Sequence, residues 1–160
     1  MTARSVEPDA RLRELLPGAQ FADAYSLAIA DRSIDARLAA ERVIGRAPRW
    51  VDLLLSLRNV AVAPFGLHRQ APQAQVRHGV LGIFPVISQT PERLVAGFDD
   101  KHLNFRVVVD VSAPSAPRKV TLTTVVLTHN LLGRAYLAAV LPFHRIVARA
   151  MLQQVAENRE

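Results

Sequence analysis

Asp99, Asp100 and His102 fall close together in the segment "FDDKHLNFR". Two carboxylates and an imidazole at a strand end could serve as a general acid and base, provided they reach within hydrogen-bond distance of a substrate. The same spacing also suits a solvated turn, because aspartate side chains bond readily to their own local backbone. A second set is "THN", residues 128–130. There His129 precedes Asn130, a favoured helix N-cap, and a helix N-terminus attracts anions. The set reads equally well as capping beside a satisfied histidine. His144 lies two residues after Pro142. It could bond a carbonyl that the proline frees, or turn toward a ligand.

Arg58 and Arg106 are the charged residues nearest to surfaces that should be apolar. Arg58 lies inside the apolar arc of a helix beginning at Pro48, either snorkelling along a neighbour or turned toward a cavity. Arg106 alternates with apolar neighbours on a strand, so its face decides whether it meets ligand or solvent. Trp50, Tyr25 and Tyr136 read as core or cavity wall, each tyrosine bringing a hydroxyl that needs a partner. The five histidines, His68, His78, His102, His129 and His144, are too dispersed to suggest a metal site. The chain has no glycine-rich phosphate loop, dinucleotide fingerprint, G-x-S-x-G or H-E-x-x-H. No metal or cofactor is therefore expected.

These groups need a frame. "VEPDARLRELLPGAQ", Val6 to Gln20, suggests a short helical turn ended at Leu16 by Pro17-Gly18. Residues 21–30 alternate weakly and read as a first strand. A helix follows, capped by Ser33 or Asp35 and stopped at Gly45, and then a second helix, "PRWVDLLLSLRNVAVAP". After a polar loop the period changes to two. "GVLGIFPVISQ" carries Pro85 and should be an edge or bulged strand. "ERLVAGF" is a short strand. In "LNFRVVVDVS", Leu103, Phe105, Val107, Val109 and Val111 share one face, and Asn104, Arg106 and Asp110 the other. "KVTLTTVVLTH" is rich in β-branched residues and closes the sheet.

"NLLGRAYLAAVLPFHRIVARAML" completes the chain's regular elements. On a helix, Arg134, Arg145 and Arg149 share one side, and Leu132, Tyr136, Val140, Phe143 and Val147 the other. Its longest uncharged run, residues 135–143, falls short of the ~20 residues of a spanning helix. No transmembrane segment is expected. The helix should lie across the sheet, bent at Pro142, with core packing its main role and anionic lipid a lesser one.

At 160 residues the chain suits a single domain, with residues 1–16 as a partly flexible extension. The absence of cysteine excludes disulfides and thiol chemistry and fits a cytoplasmic, reducing compartment. Lys101 and Lys119 are the only lysines among twenty basic residues, so the net charge of +6 reflects scattered arginine. With 6% aromatics and no known motif, a nucleic-acid partner is not expected.

Five segments, "LPGAQFADAYSL", "APRWVDLLLSLRNVAVAPFGL", "GIFPVI", "GFDDKHLNFRVVV" and "TTVVLTHNLLGRAYLAAVLPFHRIVARAML", carry a resemblance across most of residues 16–152. The chain resembles a bacterial family of uncharacterised domains, found alone or fused to short-chain-dehydrogenase-like NAD-binding proteins. More broadly, the element order resembles the START and polyketide-cyclase-like helix-grip superfamily (SRPBCC). The likeness implies an α+β helix-grip fold and a preference for small apolar or aromatic ligands. It supplies no catalytic residues.

Three functions follow as expectations. The first is a small apolar or aromatic ligand held between the last helix and the sheet. Arg58, His102, Arg106, His129, His144, Trp50 and Tyr136 are its candidate contacts. The second is a cyclase, dehydratase or isomerase using His102 or His129 with Asp99 or Asp100. The third is an interaction module or homodimer without ligand.

Overall fold

The computed structural model describes residues 2–44, 80–81, 84–114 and 117–157. Among these residues, seven strands form one antiparallel sheet in the order β1-β2-β7-β6-β5-β4-β3. They are β1 (Arg4–Val6), β2 (Phe21–Ile29), β3 (Val80–Leu81), β4 (Phe84–Gln89), β5 (Arg93–Asp99), β6 (Leu103–Val111) and β7 (Arg118–Thr128). A 3-10 turn, Ala10–Leu15, precedes β2; helix α1 (Ala36–Ile44) follows it; and helix α2 (Leu131–Glu157) ends the described chain. The architecture is the α+β expected from sequence, with the long last helix packed on the sheet. The second helix, with Trp50 and Arg58, lies outside the described residues.

Alternation decides which side of the sheet meets the helices. Val107, Val109 and Val111 of β6 join Tyr25, Leu27 and Ile29 of β2 and Leu122 of β7 in the main core. Leu152, Ala148 and Val155 of α2 and Ala36, Ala39, Ala40 and Val43 of α1 close over them. The opposite parity builds a second, smaller core. Val95, Val108 and Val125 on the outer face are covered by Leu12 and Leu16 from the 3-10 turn. The stretch read as an N-terminal extension thus supplies an edge strand and a lid of two leucines.

Local chemistry fixes the helix starts. Leu38 donates its backbone N–H to Asp35 Oδ1 at 2.7 Å, so Asp35 is the cap of α1. The Ser33 hydroxyl instead donates to Asp31 Oδ1 at 2.6 Å. Gly133 donates to Asn130 Oδ1 at 2.9 Å, so Asn130 caps α2 as its residue type implies. The β4–β5 register shifts between Val86 and Ser88, the irregularity expected of a strand holding Pro85.

α2 continues through Pro142 for 27 residues, and its most apolar stretch has a mean hydropathy of 1.3. By length and composition alone it could cross a membrane; here its C-terminal half packs on α1 and the sheet. Leu132, Tyr136, Val140 and Val147 are half-buried as their assigned side implies. Phe143 departs from that side and is 54% exposed. The inward line runs through Gly133, His144, Ala148, Leu152 and Val155, and Phe143 is rotated out of it.

Candidate functional site

The register lays side chains in rows across the helix-facing side of the sheet. Phe21 pairs with Val126, Val126 with Phe105, and Phe105 with Phe98. Phe84 stacks on Phe98, with ring centroids 6.2 Å apart and planes 5° from parallel. Phe105 contacts both, at 5.5 Å from Phe84 and 5.6 Å from Phe98. These three phenylalanines remain only half-buried. One step further in, Asp23, Thr124, Val107, Ala96 and Val86 form the next row, most of it closed.

Asp23 is the exception in that closed row. Its Oδ1 meets His144 Nε2 at 3.1 Å, with both side chains largely buried. Its Oδ2 is buried without a hydrogen-bond partner. Phe21 holds the His144 ring edge-on at 5.9 Å, and the Arg149 guanidinium lies 5.3 Å from the Tyr25 ring centre. Burial first, and then the Asp23 carboxylate, raise the Tyr25 phenol above its ordinary value of 10, while Arg149 and Arg145 pull it down. A carboxylate, an imidazole and a phenol therefore meet where α2 crosses β2.

A second polar group gathers at the open end of the sheet. His102 Nδ1 meets Asn130 Nδ2 at 2.9 Å, and His129 Nε2 meets Asn104 Oδ1 at 2.9 Å. His129 also donates its backbone N–H to the His102 carbonyl at 2.9 Å. Gly133 is required beside them, since a Cβ there would lie 2.1 Å from that carbonyl oxygen. The carboxylates go elsewhere. Asp99 pairs with Arg106 at 2.8 Å, and Asp100 accepts the backbone N–H of Lys101 at 2.6 Å. Each histidine here is given an amide partner.

The sequence candidates thus separate. His102 and His129 come together, and Tyr136 is half-buried on α2. Arg106 lies on the outer face, where it binds the carbonyls of Phe98 and Phe105 at 3.2 and 2.9 Å and braces the turn between them. Next to it, Gly97 lets β5 approach β6, because a Cβ would sit 2.0 Å from the Phe105 carbonyl oxygen. His144 gains a partner that sequence reasoning missed, Asp23. The signal was present: in "FADAYSLAI", Asp23 shares its parity with Phe21, Tyr25, Leu27 and Ile29, which places a carboxylate on an apolar face.

A family model for a protein of unknown function, DUF2867, matches residues 15–151. The chain belongs to this family. No curated protein and no solved structure matches it. The matched span of this DUF2867 chain takes in the phenylalanine row, the Asp23–His144 pair and the histidine–asparagine cluster. Among the described residues no group of three metal-ligating side chains occurs. A shallow depression of about 670 Å³ lies on the outer face beside Arg93 and Asp110. Those two satisfy each other at 2.6 and 3.2 Å, and Glu92 and Lys119 also line it.

Proposed function

We propose that the protein binds a small apolar or aromatic molecule against the helix-facing side of the sheet, with the half-open phenylalanine row as its floor. The observation that carries this reading is the contrast between rows. Phe84, Phe98 and Phe105 are large, mutually stacked and still solvent-accessible, whereas the neighbouring Ala96, Val107 and Val86 are sealed. Aromatic faces left open beside one polar pair suit a ligand whose body stacks and whose polar tip is oriented. The sheet-and-helix layout also supports placing the family among helix-grip proteins.

The test is a thermal-shift screen with fatty acids and fused-ring aromatic compounds. A ligand at a hundred times its Kd stabilises the native state by about 2.7 kcal/mol. Replacing Phe98 with serine should abolish the shift while leaving the unliganded protein folded. A panel that leaves the melting temperature unchanged would remove the proposal.

A proton-transfer enzyme is the second reading, favoured by Asp23 and His144 lying next to Phe21 in that row. In it, Asp23→Asn would abolish turnover of a bound ligand but not its binding. Loss of both together would argue for a positioning role only.

A further inference from the structure

The outward side of α2 carries a pattern that neither the core nor the phenylalanine row uses. Leu131 is 80% exposed, Ile146 61% and Phe143 54%, on a helix of 27 residues. Arg134 and Arg145 are exposed on the same half of the surface, with Ala135, Ala138 and Ala139 between them; Arg149 is exposed there too, although its guanidinium reaches back to 5.3 Å from the Tyr25 ring centre. From Leu131 to Ala156 the sequence contains no aspartate or glutamate. At 100° per residue, Arg134, Arg145, Leu131 and Arg149 fall within about 60°, with Ile146 and then Phe143 following round the helix.

We propose that this face of α2 is a docking surface for an anionic lipid membrane, lying in the interface rather than spanning it. Charge and apolarity together select this occupant. A second copy of the chain would bring arginines against arginines, since the carboxylate on this face, Glu157, stands at the far end of the helix from Arg134. Nucleic acid would satisfy the arginines, but its bases stack on aromatic rings, and Phe143 is a single ring beside the more exposed aliphatic side chains of Leu131 and Ile146. An acyl boundary with phosphate above it satisfies both halves of the pattern: the aliphatic groups enter the boundary and the guanidiniums pair with phosphate. The inward line of Ala148, Leu152 and Val155 stays in the core, so docking requires no unfolding.

The experiment is co-sedimentation of the full chain with phosphatidylcholine vesicles, with and without phosphatidylserine. Binding should require phosphatidylserine and weaken with salt. The double variant R134E/R145E should reduce partitioning by about tenfold or more, since each surface arginine contributes roughly fivefold. Ile146→Asp should reduce it as well while preserving the melting temperature. Four results would each overturn the proposal. They are no sedimentation with either vesicle, equal binding to both, binding that survives both variants, or a solution dimer that Ile146→Asp dissociates.

Discussion

At the level of single residues, two atoms decide how α2 begins. Gly133 presents an open backbone to the His102 carbonyl, and an added methyl would stand 2.1 Å from that oxygen. Alanine gains about 1 kcal/mol over glycine inside a helix. Overpacking against an immobile backbone costs about 1–3 kcal/mol. The obstacle here is main chain rather than a flexible side-chain tip, so the clash should win. Gly133→Ala is expected to lower the melting temperature and disturb the His102–Asn130 contact, seen as altered chemical shifts of the His102 ring by NMR. Tyr25 supplies a pH signature. Its phenol titrates at about 10 when unfolded and higher when folded, so the folded state holds its proton longer. That stability is complete below pH 10 and is lost as pH climbs from 10 through the folded value. Thermal melts of wild type and Tyr25→Phe between pH 9 and 11 should diverge, the wild type losing more.

At the level of elements, α2 is two helices in one energetically. Its C-terminal half inserts Leu152, fully buried, between α1 and the sheet, while Phe143 sits half in solvent on the same helix. Leu152→Ala should cost about 2–5 kcal/mol by leaving a cavity. Phe143→Ala should stay within about 0.5 kcal/mol, as surface changes do. Urea melts of the two variants measure both, and similar losses would contradict the division. β6 was readable from its period-two alternation and β7 from its β-branched residues, and the caps because Asp35 and Asn130 have the right chemistry next to the right pattern. β1 was not readable. Arg4, Ser5 and Val6 are all exposed and pair along an edge, so no apolar signal marks them. Phe143 was placed on the wrong side because helical geometry alone cannot say which arc of a broadly apolar helix meets the sheet. The Asp23–His144 pair escaped notice because its members are 121 residues apart, though Asp23 put a carboxylate on the apolar face of β2 in plain view.

At the level of the molecule, the sheet has two faces to cover, and the long helix covers only one. Sequence reading treated the sheet as one-sided and so assigned residues 1–16 no structural duty. Val95, Val108 and Val125 are buried on the outer face, and Leu12 and Leu16 shield them. Burying a leucine side chain contributes about 1.5–3 kcal/mol. Two of them thus represent a large share of the 5–15 kcal/mol typical of a folded domain. A chain lacking residues 2–16 would also lose the β1 pairing and expose a valine-rich patch. It is expected to melt well below the intact protein and to associate as concentration rises, measured by calorimetry and size-exclusion chromatography. The double variant Leu12→Ala/Leu16→Ala keeps β1 and isolates the lid. If the outer core matters as the packing implies, this variant reproduces most of the loss. If the truncated chain melts with the intact protein, the outer face is stable uncovered, and the stability of the fold resides in the helix-covered side alone.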